Sequence, residues 1–203
     1  MKLSRKFLLT LACAALLVVG TALGTLAYFT DADADTNTFT VGKVTITLDE
    51  AKVNEDGTPV SGADRVTKNE YHLLPGGTYT KDPTIHVSAD SSDCWVYVKV
   101  DNGLSAIEAA DNTVEAQMLA KGWVLIDKEN CIYAYPTMVA QDAANKDVEV
   151  FDSFTIDGDA VNNTTLKTYE NAKISVIAYA IQADGFDTAQ VAWETANGAF
   201  NEG

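Results

Sequence analysis

Residues able to perform catalysis are scarce in this sequence. It has only two histidines, His72 and His86, which lie fourteen positions apart and outside any HExxH arrangement. A catalytic zinc ion usually takes three protein ligands, and the HExxH pattern supplies two of them from one helix. The GxSxG turn of serine hydrolases is also absent from the sequence. These gaps predict no catalytic residues, no cofactor and no enzymatic activity, with both histidines in surface or turn positions.

Positive charge is also scarce. The chain has 14 lysine and arginine residues against 29 aspartate and glutamate residues, a formal net charge of −15 at pH 7. A surface this acidic repels the phosphates of nucleic acids, so we predict no nucleic-acid partner. It also keeps copies of the chain apart unless salt or cations screen the repulsion.

Cysteine is limited to three residues: Cys13 in an apolar N-terminal stretch, and Cys94 and Cys131 in strand-like segments. Export from the cell would allow Cys94 and Cys131 to form a disulfide. Two buried free thiols are the alternative. The sequence does not place the two sulfur atoms relative to each other, so both interpretations stay open.

The N-terminus has the layout of an export signal. Three basic residues among the first six precede an apolar run over residues 7–19, and small residues follow. Thr25 and Ala27 match the −3 and −1 positions of a signal peptidase site, which predicts a signal peptide over residues 1–27 and a mature chain beginning at Tyr28. An uncleaved membrane anchor is the alternative, since the apolar stretch approaches the roughly 20 residues that span a bilayer.

The residues around this cleavage point resemble a known family. They are GTLAYFTD at positions 24–31, then Asn37, Phe39 and Gly42, followed by the strand-like residues 44–48. Together they are similar to the start of TasA/camelysin proteins, which are exported biofilm-matrix fibre subunits of Gram-positive bacteria. Some camelysin-type proteins are described as metalloproteases. The resemblance implies a jelly-roll sandwich that polymerises.

A mechanism for polymerisation follows from the resemblance. An extended segment of one chain can add to an exposed strand edge of another through main-chain hydrogen bonds while alternate side chains fill pockets. We predict that residues 28–42 are this donor segment, with copies of the chain, signal peptidase and an accessory assembly or anchoring protein as partners. In the alternative, the segment is the first strand of its own domain. The apolar side chains available to the donor are those of Tyr28, Phe29, Phe39 and Val41.

The donor segment is also acidic. Asp31, Asp33 and Asp35 alternate as the first ligands of a calcium loop do. Thr36 and Gly42 stand where such a loop has its turn glycine and its bidentate glutamate. The pattern therefore favours a solvated acidic leader over a weak calcium site, and we predict no firm metal site.

Beyond residue 42, the pattern is that of an all-β protein. Apolar and polar residues alternate over about seven segments, with a helical insertion over residues 104–122 and a short C-terminal helix between Asp187 and about Ala196. This combination predicts an antiparallel β-sandwich forming a single domain over residues 43–203. The strongest strand patterns are 94–100, apolar on both faces as in an inner strand, 148–156 and 172–181.

These observations predict a secreted structural subunit of the extracellular matrix or cell surface. A secreted metalloprotease is one alternative, and a monomeric surface adhesin or carbohydrate-binding module is another. Tryptophans could stack on sugars, but Trp95, Trp123 and Trp193 fall in patterns that predict core packing.

Overall fold

The structure is a computed structural model that describes the backbone of residues 44–200 and the side chains of residues 44–196. Several predictions concern positions outside the described residues. They are the signal peptide with its cleavage between Ala27 and Tyr28, the donor segment 28–42, and the acidic triplet Asp31, Asp33 and Asp35.

The described residues form nine strands and a few short helices, which confirms the all-β prediction. None of the helices between residues 44 and 200 has the length and apolar character needed to cross a bilayer. The strands are β1 Ile46–Asp49, β2 Thr78–Thr80, β3 Thr84–Val87, β4 Cys94–Asn102, β5 Val124–Asp127, β6 Ile132–Ala134, β7 Asp147–Glu149, β8 Ser153–Thr155 and β9 Ile174–Gln182. The α-helices are α1 Val114–Ala120, α2 Asn163–Leu166 and α3 Ala189–Phe200, and 3-10 turns lie at Ser105–Ile107 and Lys167–Tyr169.

All strand pairs are antiparallel. The strands form a three-stranded sheet in the order β1-β3-β7, a two-stranded sheet β2-β8 and a four-stranded sheet β5-β6-β4-β9. β4 is an inner strand of the largest sheet, as its two apolar faces predicted. The jelly-roll strand order stays a prediction.

The ladder between β4 and β9 is the longest in the fold, running from Cys94 opposite Gln182 to Asn102 opposite Ile174. On one face of β4, Val96 and Val98 are fully buried in the main core. On the other face, the Tyr97 ring lies 5.0 Å from the ring of Trp193 in α3. Helix α3 therefore covers the second apolar face of this sheet.

Two predicted boundaries differ from the structure. The segment 148–156 is not one strand, because β7 pairs with β3 while β8 pairs with β2 in another sheet. The chain changes sheets at Val150 and Phe151, both fully buried. The C-terminal helix also continues to Phe200, since an Asn-Gly pair costs a helix only about 1 kcal/mol and need not end it.

Cys94 and Cys131 are free thiols, so the disulfide interpretation is wrong. The backbone N–H of Val100 donates to the carbonyl of Cys131 at 3.2 Å, which places Cys131 beside the end of β4 remote from Cys94. Six residues of strand span about 20 Å, whereas bridged cysteines have Cα atoms within about 7 Å. Cys94 is buried and Cys131 is exposed in a turn, so the prediction of two buried thiols holds only for Cys94.

Thiol labelling tests this arrangement on the chain of residues 28–203. Desolvation raises the pKa of the Cys94 thiol to about 11, so that thiol is both buried and protonated at neutral pH. We expect a maleimide to label one thiol in the folded protein and two in denaturant. Cys131→Ser should abolish the labelling of the folded chain, and Cys94→Ser should leave it unchanged. Thiols that become reactive only after reduction would contradict this expectation.

Candidate functional site

An open groove of about 1260 Å³ lies between β1, the segment 67–74 and the start of β9. We call it the β1–β9 groove. Leu48 of β1 forms part of one wall, and Ile174 and Val176 of β9 form part of the opposite wall. The other apolar side chains that line it are Tyr71, Leu73, Leu74, Pro83, Leu104, Phe154, Leu166, Tyr169 and Ala172.

Most of the partly buried apolar side chains of the described residues lie at this groove. Among the described residues, ten partly buried apolar side chains pack against the core, and eight of the ten line the groove. Each of them has apolar surface that an added strand could remove from water, and each Å² buried would contribute about 25 cal/mol of favourable free energy. Those eight are Leu48, Tyr71, Leu73, Leu166, Tyr169, Ala172, Ile174 and Val176.

Both strands beside the groove have an edge without a ladder partner. Within the part of the chain that the structure describes, β1 pairs only with β3 and β9 only with β4. β1 and β9 approach within 8 Å, Cα to Cα, without pairing with each other. The free edge of β1 ends at Glu50, which forms a bridge with Val66. Such edges present unpaired N–H and C=O groups that can accept another strand.

A buried ion pair fixes one end of the groove. Glu50 is only 3% exposed, and its carboxylate accepts hydrogen bonds from Lys81 Nζ at 2.5 Å and from the Asn69 side-chain amide at 2.9 Å. The Tyr71 hydroxyl donates to the carbonyl of Thr80 at 3.0 Å. Because every charged partner is satisfied, this wall is expected to keep its shape without a ligand.

A second charged cluster lies on the three-stranded sheet. The two ring nitrogens of His86 lie 2.9 Å from an Asp49 oxygen and 2.7 Å from an Asp147 oxygen. Arg65 pairs with Asp49 and, at 2.9 Å, with Asp82. His86 is thus a half-buried strand residue that ties β1 to β7 across β3. His72, in contrast, is exposed in a loop, as predicted.

This cluster does not have the geometry of a metal site. The two ring nitrogens of His86 point to different carboxylates, so one ion could not be bound by Asp49, His86 and Asp147 together. Within residues 44–200, no three His, Cys, Asp or Glu residues are grouped so that they could hold a metal. The described residues therefore do not fit a catalytic zinc centre, which needs three protein ligands.

The charge on His86 should make stability depend on pH. Desolvation lowers the pKa of His86, but the hydrogen bonds to Asp49 and Asp147 outweigh it, so the net pKa is raised above 6.5. The stabilisation is therefore fully present below pH 6.5 and is lost as the pH rises through the folded-state pKa. We expect His86→Gln to lower the urea midpoint more at pH 6 than at pH 9.

His72→Gln is the matched control, since the His72 side chain makes no hydrogen bond within the described residues. Its effect on the urea midpoint should be the same at both pH values. If His86→Gln behaved like this control, the charged bridge between β1 and β7 would be ruled out as a source of stability.

The donor residues predicted from the sequence lie outside the described residues, so the structure does not place them. The groove itself was not predicted. Its one sequence signal is the pattern of β9, where Ile174 and Val176 on one face and Ile177 and Tyr179 on the other are all apolar. The structure places β9 at the edge of its sheet, and these four side chains are half-buried.

Residues 2–90 match the family model described as camelysin metallo-endopeptidase. No curated protein and no solved structure matches the chain. The family description contradicts the prediction that the chain has no enzymatic activity, which rested on the absence of HExxH and GxSxG motifs. At the level of the family, the match supports an extracellular or surface role. Over residues 2–90, the chain is therefore similar to the camelysin family.

Proposed function

We propose that the protein is a secreted structural subunit that assembles into extracellular biofilm-matrix fibres. In this proposal, the donor segment 28–42 of one copy adds as a strand to the β1–β9 groove of the next copy. The observation that carries the proposal is the partly buried apolar surface at the groove, bordered by two strand edges that have no ladder partner among residues 44–200.

The side chains of the donor segment suit such a groove. In an extended strand, Phe39 and Val41 point to the same side, and Thr38 and Thr40 point to the other. Burial of a phenylalanine or valine side chain contributes about 1.5–3 kcal/mol each. Association costs at least about 4 kcal/mol in lost freedom of motion, so the two side chains act together with main-chain hydrogen bonds to the strand edges.

The same contact explains growth into a fibre. Donor and acceptor are different surfaces of one chain, so the contact is heterologous and need not close into a ring. Each added copy presents a new groove or a new donor. Signal cleavage before Tyr28 would free the donor segment from the membrane, which ties assembly to export.

Electron microscopy and sedimentation of the chain of residues 28–203 test this proposal. We expect filaments from this chain, and none from residues 43–203 or from the double variant Phe39→Ser, Val41→Ser. The matched control is Thr38→Ser, Thr40→Ser, which changes the opposite side of the donor and should still assemble. Circular dichroism checks that every chain folds.

Two results would overturn strand donation. One is a chain of residues 28–203 that stays monomeric over a wide range of protein and salt concentrations. Such a monomer would be expected if the segment fills its own groove or if the protein is an adhesin. The other is normal filament growth by the Phe39→Ser, Val41→Ser variant.

A second candidate function is a secreted metallo-endopeptidase, which the family description favours. The described residues supply no ligand set for the metal, so we assign no residue a role in this activity. Casein cleavage by the purified chain, measured with and without a chelator and alongside metal analysis, tests it. Chelator-sensitive cleavage with a stoichiometric metal would support this function, and an inactive chain after metal addition would reject it.

A further inference from the structure

The β1–β9 groove differs in charge from the rest of the chain. Acidic residues outnumber basic residues 29 to 14 in the whole sequence, but four lysines and four acidic residues line the groove. The groove is therefore neutral within a strongly acidic protein. An acidic segment meets the least electrostatic repulsion there.

Two of these lysines are available to a partner. Lys167 and Lys173 are both exposed, and within residues 44–196 no carboxylate lies close enough to form a salt bridge with either of them. The acidic groups Asp49 and Glu50 are already engaged by Arg65, His86 and Lys81. Glu70 and Glu170 are the other acidic residues of the lining.

The donor segment has negatively charged residues at positions that share the alternation of Phe39 and Val41. Asp31, Asp33 and Asp35 occupy odd positions, as Phe39 and Val41 do. In an extended strand side chains alternate, so all five would point to one side. A donor that directs Phe39 into an apolar groove therefore also directs its carboxylates toward that groove.

We propose that Lys167 and Lys173 bind the aspartates of the donor segment of a second copy and thereby set the direction of the added strand. This inference rests on the proposed function. Both lysines precede Ile174, the first residue of β9. The aspartates of the donor then lie at the start of β9, and Phe39, about 13 Å beyond Asp35 in an extended strand, lies along β9. The donor strand runs parallel to β9.

Charge reversal tests this inference through the protein concentration at which filaments form, measured by sedimentation at fixed salt. Lys167→Glu with Lys173→Glu should raise that concentration about tenfold, since two exposed ion pairs are replaced by repulsion. Asp31→Lys, Asp33→Lys and Asp35→Lys together should raise it as well. The chain carrying all five substitutions should assemble close to the wild-type concentration, because the pairs are restored with opposite sign.

The matched control is Lys52→Glu with Lys128→Glu. It makes the same change in net charge at two exposed lysines outside the groove, and it should change assembly much less. If it weakens assembly as much as the groove variant, or if the five-substitution chain is not rescued, the inference is wrong while strand donation stands. Normal filaments from the Phe39→Ser, Val41→Ser variant would instead reject the proposed function itself.

Discussion

The β4–β9 ladder is the constraint on which the rest of the structure depends. Its nine residue pairs are flanked by apolar side chains on both faces, so each face needs a cover. The valines of β4 form one side of the main core, while Tyr97 and Tyr179 pack on the ring of Trp193. The Tyr97 hydroxyl also donates to the carbonyl of Ala189 at 2.8 Å, which fixes the start of α3. Among residues 44–200, however, no strand pairs with the outer edge of β9.

The edge strands β7 and β9 differ in how well they are protected from pairing with another chain. β7 is short and presents the acidic residues Asp147 and Glu149 to solvent while only Val148 is buried, which discourages pairing with another chain. The first half of β9 carries no such protection, since Ile174 and Val176 are apolar and half-buried beside the groove. Within the described residues, the first half of β9 is therefore an apolar strand edge in a strongly acidic protein. This contrast is the physical reason for regarding the groove as an interface.

Much of the fold could be predicted from the sequence because alternation of side chains is a local property. It located β4, β9 and the helical insertion, in which the Thr113 side chain caps α1 by accepting a hydrogen bond from the Ala116 N–H. It could not show that residues 148–156 change sheets, because both halves have the same alternation and differ only in their distant partners. The groove was missed for the same reason, since it is formed by segments more than one hundred residues apart. The prediction of no enzymatic activity was wrong because it considered common catalytic motifs only. A family can be described as a metallo-endopeptidase without the ligand spacing of common zinc enzymes.

Two charged clusters lie beside the β1 wall of the groove. Asp49 of β1 forms ion pairs with Arg65 and His86. Its neighbour Leu48 lines the groove. The next residue, Glu50, accepts hydrogen bonds from the side chains of Lys81 and Asn69. Ordering a flexible edge during binding would reduce affinity, and these pairs remove that cost from the acceptor side. In the proposed assembly, the entropy lost would then come mainly from the donor segment, so assembly would depend on that segment being accessible.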